Sequence, residues 1–141
     1  YTLSLHDALP ISRIALAIKT VTANRDGSPA SMVFDEIDTG IGGRTAQMVA
    51  ERIAMVAAHR QVLCITHLPQ IACMADTHLY ISKHVIDNQT STVIHPLTTG
   101  ERVNEIARMA SGANVSSASL DNAREMIAYA GVKKEEYKKN G

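Results

Sequence analysis

The stretch "SMVFDEIDTGIGGRT" (residues 31–45) decides how the chain is to be read. It begins as an uninterrupted apolar run, ends abruptly in adjacent acids and passes into a glycine-rich loop. A run of that length and composition predicts a buried strand over residues 30–38. Side chains alternate along a strand, so Asp35 and Glu36 point in different directions and can serve different partners. The loop "TGIGG" is followed by a helical period, in which Ala46, Val49, Ile53 and Val56 fall on one face of residues 43–59. A second apolar run, "QVLCITH" (residues 61–67), predicts a second buried strand ending in His67.

Outward from this centre, "LPQIACMAD" predicts a short helix entered by Pro69. "HLYISKHV" and "STVIHPL" predict two strands about the turn "IDNQT", with Pro96 at an edge or a strand end. Two further helices follow in "GERVNEIARMAS" and "SSASLDNAREMIAYAG", with Ser or Asp near their starts. The tail at 131–141 mixes both charges and is expected to be solvated and fraying. Toward the N-terminus, "NRDGSP" is a turn cluster, and residues 12–24 have the period of an amphipathic helix with Ile14, Ile18 and Val21. The alternation of helix and strand predicts an α/β fold with a mostly parallel sheet flanked by helices, completed by a hairpin and helices.

Composition narrows the function. Lys plus Arg and Asp plus Glu both number 14 in 141 residues, so the basic excess of a free-standing nucleic-acid-binding domain is missing. Trp is absent and Phe occurs once, leaving the core to Ile, Leu, Val, Met and Ala. Cys64 and Cys73 lack metal-type spacing and suit a reducing compartment better than a disulfide scaffold. No apolar run approaches the ~18 residues that a membrane-spanning helix requires.

The first eleven residues, "YTLSLHDALPI", stand apart. They have no sustained period, and they lack the basic region and cleavage site of a secretory signal. A widely used short-read sequencing adapter translates in one frame to this same string. Residues 1–11 are therefore expected to be foreign and are excluded from fold reasoning.

Open α/β sheets place ligands at the carboxyl ends of their strands. Here those ends carry Asp35–Glu36 and Thr66–His67. An apolar strand ending in two acids is the Walker B pattern of nucleotide hydrolases. The first acid holds Mg²⁺, usually through water, and the second orients the attacking water. On its own the pattern also fits an acidic surface turn. His67 follows one crossover helix later, so the two strand ends should be neighbours and the ring is placed to sense a γ-phosphate. The remaining histidines (His59, His78, His84, His95) show no ligand spacing.

Together, "SRIALAIKTV", "MVFDEIDTGIGGRTAQMVAERI", "VLCITHLPQIACMADTHLYISK" and "RVNEIARMASG" resemble the C-terminal part of the ATPase head in the RecN family of bacterial DNA repair proteins. These are relatives of the structural-maintenance-of-chromosomes and ABC-type ATPases. The resemblance covers residues 12–130. It implies Asp35 as the Mg²⁺ site, Glu36 and His67 as catalytic residues, and Asp38, Thr39 and Gly40 as a D-loop contacting nucleotide across a head dimer. It also implies ATP and Mg²⁺ as cofactors, DNA as a partner, a homodimer of ATP-sandwiched heads, no membrane, and a cytoplasmic, nucleoid-associated location. In that family a Ser-Gly-Gly-Glu signature stands just before residue 12, where the adapter-like segment lies here. No G-x-x-x-x-G-K-[ST] phosphate loop occurs in the chain, so it is expected to be inert alone. Alternatives are a head fragment of another SMC or ABC ATPase, a metal-dependent hydrolase using Asp35, Glu36, Asp38 and His67, or a dimerisation piece.

Overall fold

A computed structural model describes residues 31–35, 37–86 and 89–139. The expected helix at 12–24, the adapter-like segment and Glu36 lie outside the described residues. Strands β1 (Met32–Asp35) and β2 (Val62–Ile65) pair in parallel, joined through helix α1 (Gly43–Ala57). The short helix α2 (Pro69–Ala72) leads to a hairpin of β3 (Leu79–Ile86) and β4 (Gln89–Pro96). Helices α3 (Thr99–Ser111) and α4 (Ser117–Lys139) complete the order.

The chain is α/β, but the expected mostly parallel sheet needs correction. Among the described residues the parallel sheet has two strands, and the hairpin forms a separate antiparallel sheet of two. The hairpin satisfies its ladder internally, from Leu79↔Pro96 to Ile86↔Gln89, and shares no backbone bonds with β1 or β2. The expectation of fully buried strands is also revised. Met32 and Phe34 are buried, whereas Val33, on the opposite face, is 65% exposed. In β2, Val62 and Cys64 are half-buried while Leu63 and Ile65 are exposed. A continuous apolar run does not distinguish one-sided from two-sided burial; that depends on what covers each face.

The core lies among the helices. α1 buries Ala46, Val49, Ala50, Ile53 and Ala54, the i, i+3, i+4, i+7, i+8 series of one helical face. Ile71, Ala72, Cys73 and Met74 pack in the same cluster, with Ile106 and Ala107 of α3 and Ala123 and Ala130 of α4. The small residues let the helix backbones approach closely. The Arg102 guanidinium donates to the carbonyls of Cys73 and Ala75, both at 2.7 Å, tying α3 to the turn after α2. The carboxyl end expected to fray is helical through Lys139. Ala130, Lys134 and Tyr137 recur at i, i+4, i+7 on the inner side: Ala130 is buried, Tyr137 packs on the core, and Lys134 donates to the Ala75 carbonyl and pairs with Asp76 at 2.9 Å. The lysine stem covers apolar surface while its charge reaches the rim.

α3 begins with a capping box. The Glu101 amide donates to the Thr98 hydroxyl and the Thr98 amide donates to the Glu101 carboxylate. α4 uses Ser116 in the same way, accepting from the Ser119 amide at 3.2 Å. A Thr98→Ala change is expected to lower stability by about 1 kcal/mol, read as a thermal midpoint a few degrees lower. A midpoint unchanged within error would show that the cap contributes nothing to the folded chain.

Candidate functional site

The parallel register determines what meets at the carboxyl end of the sheet. Asp35 is exposed at the end of β1 and pairs with Ile65, two positions before His67. The two strand ends singled out in the sequence are thus neighbours. Residues 37–40 form a turn in which the Ile41 amide donates to the Asp38 carbonyl at 3.2 Å. Gly40 takes φ +77° and Gly43 φ +52°, the left-handed region that side chains resist. These two glycines let the chain turn from strand to helix within the loop.

Asp38 faces inward. It is 2% exposed, and one oxygen, Oδ2, meets Thr66 and His67. The Thr66 hydroxyl donates to it at 2.5 Å and the His67 amide at 2.8 Å. The His67 ring nitrogen Nδ1 lies 3.1 Å away, and the His67 side chain as a whole is 74% exposed. The Thr66 hydroxyl in turn accepts from the Leu68 amide at 3.0 Å. The loop after β1 is therefore fastened to the end of β2 through one carboxylate. Thr39 and Gly40, its expected partners in a D-loop, are exposed beside it. Thr66 had no assigned role in the sequence; its signal is a hydroxyl residue directly before the histidine, at the end of a strand parallel to one that ends in acids.

Burial alone would push the Asp38 carboxyl up, but the Thr66 hydroxyl, the His67 amide and the charge of the His67 ring hold it below the usual carboxylate range. A carboxyl lowered in the folded state contributes stability above its unfolded value and loses it as pH falls through the folded value. The chain is therefore expected to lose thermal stability below about pH 4 more steeply than an Asp38→Asn variant. Parallel pH profiles of the two would refute this assignment of the charge.

Both thiols are insulated. Burial raises Cys64 and Cys73 to about 11, with the Asp38 charge adding to the rise at Cys64. Among the described residues no three His, Cys, Asp or Glu side chains converge into a metal-binding group. No helix among them is long and apolar enough to cross a membrane.

No protein-family model matches the chain. Individual relatives do. DNA repair protein RecN of Bacillus subtilis is 48% identical over 120 residues, which is 85% of this chain. RecN of Halalkalibacterium halodurans is 48% identical over 117 residues, and RecN of Deinococcus radiodurans 48% over 118. The chain matches a RecN fragment. It spans about a fifth of the length of these RecN proteins, between 20% and 21%. The part shared with RecN is long enough to include both strand ends and the helices that support them.

Proposed function

We propose that the chain is part of an ABC-type ATPase head acting in the repair of DNA double-strand breaks. The observation that carries this reading is the parallel register, which sets the exposed Asp35 next to the strand ending in Thr66–His67. The RecN relatives, whose names give DNA repair, support the biological setting.

A hydrated Mg²⁺ takes one or two carboxylates and completes its shell with water and phosphate oxygens, so the exposed Asp35 carboxylate at the strand end fits it. Mg²⁺–ATP, when bound, supplies the phosphoryl group and the cation that neutralises it. Asp35 would hold the cation, Glu36 would orient the attacking water, and His67, with its exposed ring, would face the terminal phosphate. Thr39 and Gly40 offer the turn to the second head of a homodimer, while Asp38 keeps the turn in place. DNA is contacted by the intact protein.

The phosphate-cradling loop is not in the sequence, so the 141-residue chain alone is expected to turn over no ATP. Mg²⁺-dependent hydrolysis by the purified chain, above that of its Glu36→Gln variant, would overturn the assignment of these residues to half of a divided site.

A further inference from the structure

We infer that Asp38 is a positioning residue for His67: its buried carboxylate fixes the ring so that Nδ1 carries a proton and Nε2 is turned outward. The inference starts from geometry inside the chain. A carboxylate oxygen has only lone pairs to offer, and a bare Nδ1 would set another lone pair 3.1 Å from Oδ2. A proton on Nδ1 removes that repulsion and replaces it with attraction. The oxygen cannot swing aside to escape, because the Thr66 hydroxyl and the His67 amide hold it at 2.5 and 2.8 Å. The amide contact matters most, since it anchors the carboxylate to the backbone of the residue whose ring it orients.

The consequence at the ring is chemical. Of the two imidazole nitrogens, one is committed to the protein and the other faces solvent on a side chain that is 74% exposed. Nε2 then accepts a hydrogen bond when the ring is neutral and donates one when it is charged, always in a direction set by Asp38. Fixing the ring from behind removes rotational freedom that the side chain would otherwise lose on meeting a ligand. The role of that nitrogen in ATP turnover rests on the function proposed above; the orientation of the ring does not.

The test is made on the 141-residue chain with histidine labelled by ¹⁵N, at pH 8, using long-range ¹H–¹⁵N correlation of the rings. His67 is expected to show its proton on Nδ1, whereas the exposed His59 shows the Nε2–H form that free imidazole rings favour. In Asp38→Ala the His67 population shifts to Nε2–H. Should that variant fail to fold, Asp38→Asn keeps the shape, removes the charge, and is expected to move part of the population the same way. A bare Nδ1 in the native chain overturns the inference, as does an unchanged population in the folded variant. A second arm uses a full-length RecN carrying this segment. There Asp38→Ala is expected to lower kcat, and to lower it no further when His67 is already Ala. The expected shift of the His67 ring population in Asp38→Ala with unchanged kcat would uphold the positioning and remove His67 from turnover.

Discussion

In a full-length RecN carrying this segment, Glu36→Gln is expected to lower ATP turnover by about 10²-fold or more while nucleotide still binds, if the function proposed above holds. The substitution keeps the size of the side chain and removes its capacity to polarise water, so its effect falls on kcat. Asp35→Asn acts on the other partner of the pair. It is expected to weaken retention of Mg²⁺–nucleotide, since the proposed cation site loses its charge. Steady-state turnover and equilibrium binding of a fluorescent ATP analogue, measured on both variants, separate the two. Equal behaviour in both assays would refute the division of labour between the acids. The alternation of a strand predicts that division, because neighbouring residues leave a strand on opposite sides.

Ile106→Ala destabilises the chain by about 2–5 kcal/mol and lowers the thermal midpoint by roughly 10 °C or more. Ile106 is 0% exposed and packs where α3 meets the cluster of α1, α2 and α4 residues. Its neighbours Ala107, Ala123 and Ala130 are already small and cannot grow into the space left behind. The lost transfer energy is therefore joined by the cost of a cavity. Val132→Ala serves as the control: Val132 is exposed on α4, and its loss is expected to stay within about 0.5 kcal/mol. A mild effect at Ile106 would place the core elsewhere than among these helices.

Much of this arrangement is legible from periodicity. The face of α1, the hairpin about residues 86–90 and the adjacency of the Asp35 and His67 strand ends each follow from a local pattern with one physical meaning. The inward turn of Asp38 is different. Its sequence context is an acid in a polar, glycine-rich loop, which reads as a solvated residue. Only the pairing of two strands distant in sequence brings the Thr66 hydroxyl and the His67 amide to its carboxylate. The carboxyl end was obscured for another reason. Lysines at 133, 134, 138 and 139 hide a helical period, because Lys134 spends its stem on the core and its charge on Asp76. Pairs such as Lys133–Glu136 and Lys138–Glu135 solvate the outer side of the same helix.

The buried thiol of Cys73 gives the chain a built-in record of its own opening. Burial raises the Cys73 thiol to about 11, so little of it is thiolate at neutral pH, and it is also shut away from solvent in the helical cluster. Alkylation of Cys73 must wait until that cluster breathes, so its rate counts excursions of the helical layer. Cys64 sits in β2, half-buried, and serves as the reference thiol that reacts without an opening of the helical cluster. Following both labels in one sample by mass spectrometry therefore separates opening of that cluster from the intrinsic rate of labelling. A large gap between the rates would mean that the helical cluster stays closed while the thiol of the sheet reacts.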